Sequence, residues 1–130
     1  MVRSVARLTG SSAVLLVADI ERSAAYYRDM LGFECRPYGD PPHFLSASRD
    51  DVSVLMALCP DASKIVPNWK IVDKTWNVYV RVDDVDEIYA EVQRRSAPID
   101  YTLYDAPHGF REFGVIDPDG YDIAFGQRIS

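Results

Sequence analysis

The 130-residue chain has few residues suited to disulfide or metal chemistry, with only two cysteines and two histidines. Cys35 and Cys59 lack a CxxC spacing, so we expect buried thiols in a reducing compartment rather than a disulfide. No stretch approaches the ~18 apolar residues of a membrane helix. Residues 1–10 contain no long apolar run before a small-residue cleavage site, so no signal peptide is predicted. These absences predict a cytoplasmic protein.

Basic residues are also scarce, with 14 Lys and Arg against 20 Asp and Glu and a formal net charge of −6. Phosphate contacts need clustered Lys and Arg, so nucleic acid is not an expected partner. The serines lack a Gly-x-Ser-x-Gly context, and the glycines do not form a phosphate loop. The acidic balance favours solubility and, more weakly, attraction of cationic ligands.

The first half of the chain reads as a strand at 12–17 and then a helix. Asp19 is a candidate helix N-cap, an apolar stripe follows at helical spacing, and Gly32 is a helix stop. Turn residues then separate three short strands. We predict these strands at 33–37, 44–48 and 52–58, followed by a connecting loop at 61–73.

The second half repeats this order. A strand is predicted at 75–82, Asp84 is the second N-cap, and strands follow the helix at 99–104, 110–116 and 121–126. Residues 17–20 (VADI) lie 65 positions before residues 82–85 (VDDV), which indicates a structural repeat. The expected fold is therefore α+β, with two βαβββ modules at about 11–60 and 74–128 forming a curved mixed sheet around a cleft. A single domain would span residues 1–130.

Three segments carry a family resemblance. Residues 17–33 (VADIERSAAYYRDMLGF) resemble the first helix signature of the vicinal oxygen chelate superfamily, the glyoxalase/bleomycin resistance protein/dioxygenase group. Residues 111–120 (REFGVIDPDG) and 125–127 resemble its closing hairpin, and residues 76–92 fit its second strand-helix unit. The resemblance covers about 12–127 and is strong for the fold but weak for the reaction.

Metal-dependent members of this superfamily place His or Glu at four inward strand positions, and the resemblance assigns those positions here to Ser12, Leu55, Asn77 and Ala124. Hydroxyl, amide and hydrocarbon groups are poor or impossible ligands for a divalent transition metal. His43 and His108 lie in predicted loops. We therefore predict no metal ligand and no cofactor, and the chain most resembles the metal-free, bleomycin-resistance-like members.

Strand alternation predicts which side chains share the concave face. Asn77, Tyr79 and Arg81 point inward, whereas Trp76 points toward the helices. We expect Glu112 to form an ion pair with Arg111 or another neighbour. Tyr101 and Tyr104 are further rim aromatics that could stack on a planar or cationic ligand. The predicted ligand-binding residues are Tyr38, Phe44, Leu55, Trp69, Asn77, Tyr79, Arg81, His108, Phe110, Glu112 and Ala124.

Three functions remain open. The first is a metal-free protein that sequesters an aromatic or cationic natural product or antibiotic. The second is a lyase, isomerase or dioxygenase with displaced ligands or with proton transfer by Glu112, Tyr79 or His108. The third is a non-catalytic interaction domain. The resemblance also implies a homodimer, in some relatives strand-swapped, which would cover an exposed apolar sheet edge.

Overall fold

The computed structural model describes residues 5–130, which form eight strands, two α-helices and two short 3-10 turns. The first module consists of β1 to β4 with α1, and the second of β5 to β8 with α2. Their bounds are β1 Ala13–Val17, α1 Ile20–Leu31, β2 Glu34–Tyr38, β3 Phe44–Arg49, β4 Val52–Leu58, β5 Val78–Arg81, α2 Val85–Arg94, β6 Ile99–Asp105, β7 Phe110–Ile116 and β8 Asp122–Arg128.

Each module has its own four-stranded mixed sheet, in the order β1-β4-β3-β2 and β5-β8-β7-β6. The first strand of each module runs parallel to the last, and the other neighbours are antiparallel. Val14 pairs with Leu55 and Tyr79 pairs with Ala124, so the two modules have equivalent registers. The predicted α+β fold with two βαβββ modules is confirmed.

Both predicted helix N-caps are confirmed. The Asp19 carboxylate accepts a 3.0 Å hydrogen bond from the Arg22 amide, and that of Asp84 accepts one of 3.1 Å from the Glu87 amide. These bonds satisfy amides that have no partner inside the helix. Gly32 ends α1 in the left-handed conformation, with φ of 73°, as glycine commonly does at this position.

The two modules share one hydrophobic core and are also joined by polar bonds. Tyr27 of α1 donates a 2.8 Å hydrogen bond to Asp117, in the turn before β8. Asp119, in the same turn, accepts from the Ala18 amide and from Arg22. Burial raises the pKa of Asp117 to about 6, although the bond from Tyr27 opposes this shift. The turn thus attaches the second module to the start of α1.

The first sheet buries one face against α1 and leaves an apolar face open. Leu15 and Val17 are buried, whereas the alternate residues Val14 and Leu16 are 63% and 46% exposed. Tyr38, on the same open face, is also exposed. Large exposed apolar surfaces of this kind mark interaction sites.

The strand predicted at 75–82 begins only at Val78. The Trp76 carbonyl accepts from the Asn68 side chain, and the Asn77 side chain accepts from the Asn68 amide. These hydrogen bonds attach Trp76 and Asn77 to the preceding loop, and β5 begins after them. That loop contains 3-10 turns at Ala62–Lys64 and Asn68–Lys70.

Cys35 and Cys59 are both free thiols, but neither is fully buried as expected from the sequence; each is partly exposed. Across the described residues, neither helix has the length and apolar character needed to cross a bilayer.

Candidate functional site

A buried glutamate lies at the centre of the concave face of the second sheet. Glu112, on β7, is only 1% exposed. Its Oε1 accepts a 2.9 Å hydrogen bond from Tyr79 and its Oε2 accepts one of 2.6 Å from Tyr101. The His108 Nε2 lies 2.7 Å from Oε1. A buried carboxylate is stable only when it is paired in this way.

Different elements deliver the partners of Glu112. Tyr79 comes from β5, Tyr101 from β6, and His108 from the turn between β6 and β7. The indole of Trp76 donates a 2.9 Å hydrogen bond to the Tyr101 hydroxyl, which extends the network beyond the carboxylate. The network therefore fixes the relative positions of aromatic side chains from three separate parts of the second module.

Two glycines make room for these tyrosines. A Cβ at Gly126 would overlap the Tyr79 hydroxyl, and a Cβ at Gly114 would overlap the Tyr101 ring and lie 2.7 Å from Asp122. Neither glycine has a positive φ, so the close approach of a ring, rather than the backbone conformation, requires glycine here.

Aromatic rings surround the network. The rings of Trp76 and Tyr79 meet edge to face with centroids 4.7 Å apart, and Phe110 lies 5.9 Å from Tyr79. Tyr104 lies 5.9 Å from Tyr101. Beside them is a cavity of about 530 Å³, a size typical of ligand pockets. It is lined by Lys74, Trp76, Asp100, Tyr101, Thr102, Tyr104, Glu112 and Asp122.

The tyrosines of the network are held in their neutral, donating form. Burial, followed by the bond to Glu112, raises the pKa of both Tyr79 and Tyr101 well above the ordinary value. Burial also raises the pKa of Asp122, on the same sheet face, to about 8, and the nearby Asp100 and Glu112 carboxyls add to this effect. Glu112 and Asp122 are therefore both buried, but Glu112 accepts hydrogen bonds from two tyrosines whereas Asp122 lies beside other carboxyl groups.

Among the residues predicted to bind ligand, Tyr79, His108, Phe110, Glu112 and Ala124 lie together on the second sheet. Tyr79 pairs with Ala124, and the register places Glu112 opposite Gly126. The β6–β7 turn brings the His108 ring within 5.6 Å of the Phe110 ring.

The predicted residues of the first module lie elsewhere. Tyr38 and Phe44 form a ring pair 6.1 Å apart at the β2–β3 end of the first sheet. Leu55 is half-buried on β4, opposite Val14. These three side chains do not line the cavity beside Glu112.

Three more predicted residues lie outside the aromatic cluster. Trp69 donates a 2.6 Å hydrogen bond to the Gly120 carbonyl. Asn77 and Arg81 line a groove of about 540 Å³ between the modules, which Ser12 and Tyr79 also line.

The expectation for Trp76 was wrong, and of the two partners expected for Glu112 the structure shows the other neighbour, His108, rather than Arg111. Trp76 does not face the helices but lies with Tyr79 and Tyr101, because it precedes β5 and strand alternation does not apply to it. Glu112 does not pair with Arg111. Strand alternation points Arg111 away from the concave face, where it binds Asp86 and Asp105.

The predicted ligand-binding residues did not include Trp76, Asp100, Asp122, Gly114 or Gly126, although strand alternation from Ala124 places Asp122 and Gly126 on the concave face. The signal for the glycines was present, since each lies inside a predicted strand, where glycine indicates close approach of another group. The role of Asp122 depends on burial, which alternation alone does not determine.

The four positions that hold metal in metal-dependent relatives do not fit a metal here. The Ser12 hydroxyl is bonded to that of Ser53, and the Asn77 side-chain oxygen accepts from the Asn68 amide. Leu55 and Ala124 have no donor atom in their side chains. Within residues 5–130, no three His, Cys, Asp or Glu side chains cluster as metal ligands.

A family model described as "Glyoxalase/Bleomycin resistance protein/Dioxygenase superfamily" matches residues 10–125. Comparison with curated proteins finds no match.

Solved structures share the fold at low sequence identity. A glyoxalase/bleomycin resistance protein/dioxygenase from Alicyclobacillus acidocaldarius superposes with a TM-score of 0.76 at 15% identity, covering 94% of this chain and 92% of that one. The bleomycin-binding protein of Streptomyces verticillus, complexed with copper(II)-bleomycin, superposes with a TM-score of 0.70 at 22% identity, covering 97% of this chain and 99% of that one. TnmS3, an antibiotic binding protein from Streptomyces sp. CB03234, superposes with a TM-score of 0.71 at 22% identity, covering 95% of this chain and 98% of that one.

Proposed function

The chain belongs to the Glyoxalase/Bleomycin resistance protein/Dioxygenase superfamily, and we propose that within it this protein binds a planar aromatic or cationic small molecule without transforming it. The ligand would lie on the concave face of the second sheet. The observation that carries this proposal is the Glu112 network, which holds the rings of Tyr79, Tyr101 and Trp76 as a rigid wall.

The network suits binding better than proton transfer. Both Glu112 oxygens already accept hydrogen bonds from tyrosine hydroxyls, and the side chain is almost fully buried. A general base must reach the proton that it removes, whereas this carboxylate is covered by its own partners. Its role is to position aromatic side chains, as pre-organised binding sites require.

Two structural relatives are a bleomycin-binding protein and an antibiotic binding protein, which supports a natural-product antibiotic as the ligand class. The net charge of −6 favours a cationic molecule through long-range attraction. We also propose that the protein is located in the cytoplasm, where its two free thiols would stay reduced.

We also propose a homodimer that completes the pocket. The open apolar face of the first sheet, with Val14, Leu16 and Tyr38, would cover the second sheet of another copy. This arrangement would bring Tyr38, Phe44 and Leu55 to the aromatic cluster, which they do not reach within one chain. Dimers with self-complementary contacts are the commonest assemblies.

The test is a thermal-shift titration of the purified protein with bleomycin and with planar aromatic antibiotics, each with and without divalent metal. A ligand at about one hundred times its Kd should stabilise the fold by roughly 2.7 kcal/mol. Trp76→Leu should reduce this stabilisation, whereas Ile71→Ala, at an exposed loop position, should not. Failure of every compound, or near-stoichiometric Zn, Ni, Mn or Fe in the purified protein, would favour the enzyme alternative.

A further inference from the structure

The cavity beside the Glu112 network contains a second buried carboxylate. Asp122, at the start of β8, is only 3% exposed and lines this cavity. Glu112 receives two hydroxyl donors, whereas Oδ1 of Asp122 has no hydrogen-bond partner. Leaving a buried acceptor unsatisfied costs free energy, so this oxygen marks a place where a donor from outside the chain would be stabilised.

The groups around Asp122 come from β6, from β7 and from the loop before β5. Asp100 of β6 lies within hydrogen-bonding reach of its carboxyl, and Glu112 of β7 contributes a further negative charge. Tyr101 of β6 packs over Gly114, beside Asp122. Lys74 also lines the cavity but forms no ion pair with any residue from 5 to 130. Three carboxyl groups of the chain thus line this cavity against a single ammonium group, that of Lys74.

The cavity walls suit a cation. Trp76, Tyr101 and Tyr104 present aromatic rings, and a ring face attracts an ammonium or guanidinium group. An anionic ligand would meet the carboxyl groups of Asp100, Glu112 and Asp122 at close range, and like charges repel strongly in such a setting.

We propose that this cavity is a subsite for a protonated amine, whose N–H groups donate to Asp122 and Asp100 while its charge lies against Tyr101, Tyr104 and Trp76. The inference rests on the proposed function, because it identifies the ligand group that enters this part of the pocket. It assigns a role to Asp122, which contributes nothing to the Glu112 network.

Binding of the amine should release a proton. Burial and the adjacent Asp100 raise the pKa of Asp122 to about 8, so much of the free protein carries a proton on this pair at neutral pH. The ammonium ion keeps its own proton, the carboxyl gives its proton to the buffer, and an ammonium–carboxylate pair forms. Affinity should therefore increase as the pH rises from 6 to 8.

Isothermal titration calorimetry with two probes of nearly the same shape tests the subsite. 2-Phenylethylamine carries the ammonium group, and 2-phenylethanol replaces it with a neutral hydroxyl. The amine should bind the full chain about tenfold more tightly, because hydrogen bonds to charged partners are roughly twice as strong as neutral ones. Titration in two buffers of different ionisation enthalpy measures the released proton.

Asp122→Asn should abolish the preference for the amine and the proton release, while affinity for the alcohol stays within about twofold. Asp83→Asn is the matched control, since it makes the same substitution at an exposed position before α2. Near-ultraviolet circular dichroism of each variant verifies the fold. Equal binding of amine and alcohol by the unmodified protein, or an amine preference that survives Asp122→Asn, would overturn the subsite.

The two proposals fail in different ways. If bleomycin or a planar antibiotic stabilises the protein but Asp122→Asn leaves the amine preference intact, the proposed function stands and the subsite is wrong. If the amine preference depends on Asp122 but no planar compound binds, the subsite stands and the proposed function is wrong.

Discussion

The hydroxyl of Tyr101 donates a 2.6 Å hydrogen bond to Oε2 of Glu112, and this bond joins β6 to β7 across the concave face of the second sheet. The pairing of these two strands is irregular, with register shifts on either side of Tyr101. The side-chain bond therefore holds the strands where the backbone ladder is interrupted. It also orients Tyr101 toward Trp76 and the ligand cavity.

Replacement of Glu112 should show how much the network contributes. Glu112→Gln keeps the shape but turns one acceptor into an NH₂ donor that faces a tyrosine hydroxyl or His108. We expect a loss of about 1–3 kcal/mol in the free energy of unfolding, measured by urea denaturation. Glu34→Gln, at an exposed ion pair with Arg36, should change it by less than about 0.5 kcal/mol. Equal effects of the two variants would contradict the structural role of Glu112.

Gly126→Ala should displace Tyr79, because the added methyl group would overlap the phenol hydroxyl. Overpacking of this kind costs about 1–3 kcal/mol, and ligand affinity should fall as well. Tyr79→Leu in the same chain should remove most of the extra cost of Gly126→Ala. A double-mutant cycle by thermal denaturation measures the coupling, and strictly additive effects would show that the two residues do not conflict.

Arg49 links the modules, since its guanidinium bonds both Glu91 oxygens and the Leu31 carbonyl. The Arg49 bond lowers the pKa of Glu91, and both side chains are partly buried. Arg49→Met should cost about 1–2 kcal/mol of stability. Arg36→Met, in an exposed pair, should cost less than about 0.5 kcal/mol. Urea denaturation compares the two, and an equal cost would rule out a special role for Arg49.

The stability of the free protein should decrease as the pH rises above 4. The pKa of Asp122 is raised from its ordinary value of 3.8 to about 8, and that of Asp117 to about 6. The folded state therefore holds these protons at pH values where the unfolded chain has lost them, so deprotonation favours unfolding. Each contribution is fully present below pH 4 and is lost as the pH passes the folded pKa.

Asp122→Asn separates the two groups. The free energy of unfolding of this variant should no longer decrease between pH 6 and 8. At pH 8 it should exceed that of the original protein by about 1–3 kcal/mol. Between pH 4 and 6 both groups contribute to the decline, so in this variant it should become about half as steep, with Asp117 responsible for what is left. Chemical denaturation at each pH provides the measurement. An unchanged slope above pH 6 would show that Asp122 is ionised with its ordinary pKa.

Charge on the open face of the first sheet should prevent the proposed dimer. Val14 and Leu16 are exposed in the single chain, so Val14→Asp/Leu16→Asp should leave the fold intact and produce a monomer. Ile71→Asp, at an exposed loop position outside that face, should not alter the assembly. Light scattering coupled to gel filtration reports the mass. A dimer that persists in the double variant would place the interface elsewhere.

Local patterns predicted the architecture well because they depend on short-range physics. Asp19, Asp84 and Gly32 act within one helical turn, so residue type and spacing are sufficient to locate both helix starts and the first helix end. The 65-residue repeat predicted equivalent modules, and period-two alternation placed Tyr79 and Ala124 on one face. Alternation was wrong for Trp76 because Asn68, nine residues before Asn77, binds the backbone there and delays the strand.

The sequence by itself determined the two modules, the helix caps and the residue types at the four strand positions where relatives hold metal. Each of these depends on neighbours in the chain or on a fixed period. Only the tertiary structure decided that Glu112 binds Tyr79, Tyr101 and His108 rather than Arg111, and that Asp122 is buried without a donor. Burial and hydrogen-bond pairing depend on residues brought together from different strands, and the spacing of residues along the chain contains no measure of that proximity.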